Sequence, residues 1–469
     1  MSTVFRYESY TVDAETGLLT CTYSLDDREF SERVTLPPGP RWTSADAQAA
    51  ARLVFLLAGV SYYKTAAPPV IDLGDTALTP LEHDFLRDFY INGLAEFAYR
   101  NALDLSGLTL TGPASTGPTS TGPTSTGPTS TGSIAQLTRS SDVNHAIDPM
   151  GDPVGAIDPM GGRGALVPFG GGIDSIVTVE AVRRRVQDVA LFVVSRPGDT
   201  YDAIEQPAAV TGLPVRRATR EIDQQLLRSA ENGFLNGHVP VTGIISAIAV
   251  LAAVLDDRDS VVMSNEWSAS IPTLEYQGRP VNHQYSKSAE FEAAFRAVLA
   301  QYGLPGYFSY LRDRTELWVG REFTALEPYH GTFRSCNKAF YADKSRRLDH
   351  WCGQCDKCCF IDLILAPFLP SRRLGEIFAV AGEPLADAGL REKFRGLLGA
   401  GAKPFECVGE VNECRAAVLL AARRPDRAQD RLLQELAAEV GSWPDAPSPD
   451  DAEAMLRPVG ESFTPAGYR

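Results

Sequence analysis

The stretch LVPFGGGIDSIVTVEAVRRR, Leu166 to Arg185, decides how this chain is read. Leu166, Val167 and Phe169 form a short apolar run of strand type, and Ile176, Val179, Val182 and Val186 then recur near helical spacing. Between the two periods stand Gly170, Gly171 and Gly172, with Asp174 and Ser175 at the start of the expected helix. Glycines without a Cβ let the backbone come close to a bulky ligand. A helix start behind them offers unsatisfied N–H groups and the positive end of the helix dipole, so the stretch is suited to phosphate.

No GxxxxGK[ST] loop occurs anywhere in the chain, so transfer of a γ-phosphoryl group is not suggested. GGGIDS, Gly170 to Ser175, instead resembles the SGGxDS signature of the ATP-pyrophosphatase (PP-loop) superfamily. Gly170 takes the place of the first serine and removes one hydroxyl donor. The resemblance implies cleavage of ATP between its α- and β-phosphates with adenylation of a substrate oxygen.

With 469 residues the chain has room for two or three domains and their cores. A net charge of -15 argues against broad binding to nucleic acid. The most apolar segment, Val241 to Leu255, contains Thr242, Gly243 and Ser246 and falls short of the roughly 20 residues a bilayer span needs, so it reads as a buried helix and no membrane partner is expected. MSTVFRYESY has neither the basic start nor the apolar run of a secretory signal, which makes the cytoplasm the expected location.

Residues 1–106 read as a small α+β domain. Alternating strands flank Thr16-Gly17, Ser44 or Thr43 caps a helix through Leu57, and Thr79-Pro80 opens a longer helix to about Leu103. Residues 107–164 read as a disordered linker, built from TGPAS, three copies of TGPTS and a duplicated AIDPMG. Residues 165–370 alternate strands (Val189–Val194, Val261–Met263) with helices, the pattern of a doubly wound α/β domain whose ligands gather beyond the C-terminal strand ends. Ser195, Ser264, Asn265, Glu266 and Trp267 fall at such ends, and Ser195 is expected at the nucleotide. Residues 371–469 read as helical packing, with an irregular tail from Trp443. The fold expected is therefore α/β, a doubly wound parallel-sheet PP-loop (HUP-like) domain between a small N-terminal α+β domain and a helical C-terminal region.

Five of the eight cysteines lie between Cys336 and Cys359, a density that fits metal binding in a reducing compartment. Cys336, Cys352, Cys355 and Cys358 are spaced to surround one tetrahedral Zn²⁺, and Gly353 permits the tight turn. A closed four-thiolate site leaves no position for water, so its role would be structural; an iron–sulfur cluster is the rival occupant. Between the glycine loop and the cysteines, GRPVNHQYSKSAEFE concentrates Arg279, His283, Tyr285 and Lys287 before a helix that Ser288 can cap, and Arg334 and Lys338 add positive charge.

Taken together, PFGGGIDS, SNEWSAS, NHQYSKS, SCNKAF and WCGQCDKCCF resemble the MurL family of UDP-N-acetylmuramoyl-L-alanyl-L-glutamate epimerases. The resemblance implies inversion of the terminal L-glutamate of UDP-MurNAc-L-Ala-L-Glu, with ATP and Mg²⁺ consumed to AMP and diphosphate in peptidoglycan precursor synthesis. On that footing Gly170, Gly171, Gly172, Asp174 and Ser175 hold the ATP phosphates, with Asp174 near Mg²⁺. Arg279, Arg334 and Lys338 bind substrate anions, and His283, Tyr285 and Lys287 are the candidates for proton transfer. The cysteine arrangement also resembles 7-cyano-7-deazaguanine synthase, a zinc-containing PP-loop enzyme, and other relatives modify tRNA. A non-catalytic nucleotide-binding scaffold is the remaining alternative.

Overall fold

Among the described residues, ten strands share one sheet. The computed structural model describes residues 3–115, 164–341, 343–401, 404–406 and 408–469; most of the repeat tract, residues 116–163, and Cys407 lie outside them. The strands are β1 (Phe5–Asp13), β2 (Leu18–Leu25), β3 (Arg28–Thr35), β4 (Val70–Asp72), β5 (Thr109–Thr111), β6 (Ala165–Pro168), β7 (Val189–Ser195), β8 (Val215–Glu221), β9 (Ser260–Met263), β10 (Leu274–Tyr276), β11 (Arg279–Val281) and β12 (Gly306–Ser309). Their order is β12-β9-β6-β7-β8-β3-β2-β1-β4-β5, with β10 and β11 forming a separate hairpin. The run β12-β9-β6-β7-β8 is entirely parallel, which is the doubly wound pattern.

Alternation along these strands feeds two cores. Leu166, Ala190, Phe192, Val261, Met263 and Tyr307 face one, which they share with the N-terminal elements. Ala165, Val167, Leu191, Val193, Val262 and Phe308 face the other, shared with the C-terminal helices. Successive side chains on a strand point to opposite faces, so a sheet buried on both sides reads as a continuous apolar run. Helix Val241–Leu255 lies on the first face and packs against helix Ala45–Ala58. The latter starts as expected, Ser44 accepting a hydrogen bond from the Ala47 N–H at 3.2 Å.

The sheet does not stop at the repeat tract. β3 pairs antiparallel with β8 through Arg33–Glu221, Val34–Arg220 and Thr35–Thr219. Arg220 seals the junction: its Nε and Nη2 donate to Glu32 at 2.7 and 3.0 Å, and Nη2 also reaches Ser61. The Glu32 side chain is completely buried.

Two expectations from the sequence are corrected, and the irregular tail is found docked. The helix opened by Thr79-Pro80 breaks at Leu94 instead of running to Leu103, giving helices Pro80–Gly93 and Ala95–Arg100. The break lies where Pro240 crowds Gly93, whose added Cβ would stand 2.7 Å from the proline ring. Residues 109–111, placed in the linker by composition, are the edge strand β5, paired with β4. The tail after Trp443 is docked: the Thr315 hydroxyl donates to the Met455 carbonyl at 2.7 Å, the Val459 N–H to Asp313 at 2.8 Å, and buried Tyr468 meets the Ser260 hydroxyl.

Because Glu32 is the only carboxylate among the described residues that holds the largely buried Arg220, Glu32→Ala should cost about 3–5 kcal/mol in urea unfolding. Glu32→Gln, which keeps one acceptor, should cost distinctly less.

Candidate active site

In the parallel run, β6 lies between β7 and β9, so the chain leaves β6 to one side and later returns on the other. Crevices at the C-terminal ends of strands flanking such a reversal are where open α/β sheets take ligands. Gly170–Gly172 follow β6 and Ser264–Trp267 follow β9, both at this crevice. Gly171 has φ +74°, and a Cβ there would stand 2.1 Å from the Ala203 carbonyl oxygen, so this position admits only glycine. Gly172 is the N-cap of helix Ile173–Val182 and offers no side-chain cap, which leaves the first N–H groups of the helix directed into the crevice. Ser175 hydrogen-bonds back to the Gly172 carbonyl at 3.0 Å. Ser195 ends β7 alongside, its backbone in register with Thr219.

Three carboxylates converge at the start of that helix. Asp174, Glu266 and Glu316 bring oxygens within 4.8 Å of one another. Glu316 begins helix Glu316–Thr324, whose cap is the Thr315 hydroxyl accepting from the Trp318 N–H at 3.0 Å. Burial, reinforced by the Asp174 and Glu266 charges, pushes the Glu316 carboxyl well above the usual carboxylate range. Glu413, on helix Val411–Ala422, is fully buried beside it and is pushed up to about 8, chiefly by burial. Among the described residues, Glu316 Oε2 and Glu413 Oε1 are buried without a hydrogen-bond partner. Hard oxygen ligands of this kind suit a divalent cation such as Mg²⁺.

The four cysteines named from the sequence meet: Cys336, Cys352, Cys355 and Cys358 place their sulfurs within 4.8 Å of one another. Cys355 and Cys352 stand 3.4 and 3.7 Å from Cys358. With Zn–S bonds of about 2.3 Å, the edge of a tetrahedral site is about 3.8 Å, so the spacing suits one ion and leaves no room for the iron and sulfide core of a cluster. Cys359 points into the apolar core instead. This knuckle adjoins the glycine loop, since a Cβ on Gly172 would lie 3.0 Å from the Ser335 hydroxyl. Next to Ser335, Arg334 is buried; its Nη1 donates to the Asp349 carbonyl, whereas Nε and Nη2 have no hydrogen-bond partner among the described residues. Lys338 sits half-buried in the turn Asn337–Phe340.

His283 forms a second centre. Its Nδ1 donates to Glu96 Oε2, and Arg100 donates to Glu96 Oε1 at 2.6 Å. The His238 ring lies 4.4 Å from that of His283, centroid to centroid. Lys287 hydrogen-bonds Gln284 at 3.2 Å and faces this group. Tyr285 is placed differently: it is buried in the core against Phe291, and burial raises its phenol. Arg279 is exposed on the β10–β11 hairpin, lining a cavity of about 40 Å³ with Asn92 and Asp104.

The MurL N-terminal domain matches residues 1–310, and the MurL C-terminal domain residues 332–450. The chain belongs to the MurL family. Among similar MurL relatives, the UDP-N-acetyl-alpha-D-muramoyl-L-alanyl-L-glutamate epimerase of Salinispora tropica is 36% identical, over 99% of this chain and 94% of its own. The proteins of the same name from Xanthomonas oryzae pv. oryzae and a Micromonospora species are 34% and 37% identical. They cover 98% and 99% of this chain, and 95% and 96% of theirs. The first MurL domain spans both sides of the repeat tract, as the continuous sheet does. No helix among the described residues is long and apolar enough to cross a membrane.

Sequence reading missed Glu96, His238, Glu316 and Glu413. Glu316 carried a faint signal as the acidic residue behind a capping threonine, which ordinarily means only a helix start. In the ion-free chain, Glu316→Gln should relieve the clustered acids and raise stability by on the order of 1 kcal/mol in urea unfolding. Millimolar Mg²⁺, expected to stabilise the native sequence, should do less for the variant.

Proposed function

We propose that this chain inverts the terminal L-glutamate of UDP-MurNAc-L-Ala-L-Glu to D-glutamate in the cytoplasm, consuming ATP to AMP and diphosphate. The observation that carries the reading is the uncapped glycine loop facing a buried acidic cluster at the sheet's reversal point. Together with membership of a family whose relatives bear the epimerase name, it supports nucleotide-dependent activation of a carboxylate.

The chemistry explains why ATP is needed. A Cα proton beside a carboxylate is very weakly acidic, because its loss would set a second negative charge next to the first. The glutamyl α-carboxylate attacks the α-phosphorus of ATP, the bond to the β-phosphate oxygen breaks, and diphosphate leaves. The acyl adenylate so formed has no charge on its carbonyl, and the Cα electron pair can move onto that oxygen. Each pKa unit by which the Cα–H is acidified is worth about 1.36 kcal/mol. Reprotonation from the other face and hydrolysis of the anhydride give the D-glutamyl product and AMP.

In this reading Gly170, Gly171, Gly172 and Ser175 cradle the phosphates, with Ser195 at the adjoining strand end. Asp174, Glu266 and Glu316 would hold Mg²⁺, which when bound offsets the charge of the departing diphosphate. Arg334 suits a substrate carboxylate or phosphate, since two of its buried donors await an acceptor. Lys338 and Arg279 are further anion contacts, and His283 and Lys287 the proton-transfer candidates, Tyr285 being turned into the apolar core. Cys336, Cys352, Cys355 and Cys358 would hold a structural Zn²⁺ that fixes Ser335 against the glycine loop.

Incubation with UDP-MurNAc-L-Ala-L-Glu, ATP and Mg²⁺ in D₂O should yield AMP and D-glutamate carrying deuterium at Cα, with both lost in Asp174→Ala. Neither product from a folded, metal-replete sample would overturn the reading. Metal analysis should find one zinc per chain, and Cys355→Ser should release it and lower thermal stability.

A further inference from the structure

The C-terminal strand edge carries a second group of titratable side chains that the nucleotide chemistry does not use. His238 closes the connection from β8 and is followed within three residues by helix Val241–Leu255. His283 lies in the segment joining β9 to helix Ala289–Gln301. In a parallel sheet both connections leave from the C-terminal strand ends, so both histidines stand on the edge occupied by the glycine loop. Glu96 comes from the N-terminal region, on helix Ala95–Arg100.

We propose that His283, oriented by Glu96, carries the substrate Cα proton on one face of the glutamyl residue. The assignment rests on the epimerase reading above. Its basis is the arrangement around the ring. The Nδ1–H of His283 is given to Glu96, which sets the tautomer and makes Nε2 the basic nitrogen. Glu96 is 4% exposed and is fixed from its other oxygen by Arg100, whereas His283 retains 14% exposure. A buried carboxylate thus holds a partly exposed imidazole. This is the relation between orienting acid and working base found wherever an imidazole must gain and lose a proton in one geometry.

The neighbouring charges suit the same role. The groups facing His238 are His283, Glu96, Lys287 and Lys64. Burial, together with the charge of His283, holds His238 down to about 4, so the neighbouring tilted ring stays neutral beside an imidazolium. Arg100 and Lys287 make the site attractive to a substrate carboxylate. They also make it a poor metal site, because both Glu96 oxygens are engaged and cations surround the group.

In the step assigned here the Cα–H bond of the acyl adenylate breaks, its proton goes to His283 Nε2, and its electron pair goes to the acyl oxygen as an enolate. The imidazolium is paired with Glu96 and releases its proton to solvent. A solvent-derived proton delivered to the opposite face completes the inversion. Glu96 is a positioning residue and His238 a neutral neighbour.

The test uses the full chain with UDP-MurNAc-L-Ala-L-Glu, ATP and Mg²⁺ in D₂O, following diphosphate release and deuterium at Cα separately. His283→Gln should keep substrate-dependent diphosphate release at a near-native KM while deuterium incorporation falls about 10²–10⁴-fold. Added imidazole should restore part of it in His283→Ala. Glu96→Gln should lower kcat for exchange with little change in KM and shift the acid limb of its pH profile, which a packing role would not do. Unchanged deuterium incorporation in His283→Gln, or equal loss of both signals in His283→Gln and Glu96→Gln, would overturn the assignment. So would a second zinc per chain that disappears in His238→Phe. A native chain that releases no diphosphate and inverts no glutamate would instead overturn the epimerase reading, and this assignment with it.

Discussion

The site depends on one buried ion pair. Arg312 and Glu292 are 2% and 1% exposed, and Arg312 donates to Glu292 Oε2 from Nε at 3.0 Å and from Nη2 at 2.8 Å. The same guanidinium reaches the Glu266 carbonyl at 3.1 Å and the Lys287 carbonyl at 2.6 Å. Glu292 Oε1 meanwhile accepts from the Ser309 N–H at the end of β12. One side chain therefore joins the loop that carries an acid of the carboxylate cluster to the turn that carries Lys287, and joins both to the sheet. Burying two charges is costly in itself, and a well-packed apolar pair would often be as stable. What the pair supplies is position: with the Ser270 and Ser309 hydroxyls also accepting from Arg312, five acceptor atoms define where these two connecting segments must lie.

A comparable constraint acts on the other side of the crevice. The Ser335 hydroxyl stands against Gly172, and Ser335 is the residue before the first cysteine of the knuckle. The knuckle's other three cysteines lie at and before the start of helix Asp356–Leu365, in the core shared with the sheet's second face. Asp199 adds a polar tie: Arg347 donates to both its oxygens at 2.7 Å and stacks over Tyr201, joining the loop after β7 to the segment between Cys336 and Cys352. A thiolate site here would have mechanical work to do, since it would anchor Arg334, whose two donors are held away from water with no acceptor among the described residues. An anion arriving there recovers the desolvation cost that folding imposed.

How much of this was legible in the sequence follows from how local each signal is. The strand–glycine–helix stretch, the Ser44 and Ser288 caps and the cysteine spacing are settled within a few residues, and the structure has them where they were read. The pairing of β3 with β8 joins residues nearly two hundred apart across a repeat tract, and no composition or period reports such a contact. Tyr285 and His283 are two residues apart in one polar-looking segment, yet the fold turns one into the apolar core and the other toward Glu96. Glu96 and Glu413 read as ordinary helix carboxylates, because each acquires its meaning only from a partner on a distant element.

Charge is sorted along the crevice in a way that the net value of -15 conceals. On the side of the glycine loop, Asp174, Glu266, Glu316 and Glu413 crowd together at a cost in desolvation and mutual repulsion. On the side of His283, Glu96 is outnumbered by Arg100, Lys287 and Lys64. A polyanion accompanied by a divalent cation is drawn to the first, and a bare carboxylate to the second. A reaction that must bring a nucleotide phosphate and a substrate carboxylate together faces repulsion between the two anions. On the epimerase reading, seating them against opposite fields lets each bind where its own charge is matched, so the repulsion is met by fixed groups before the anions approach.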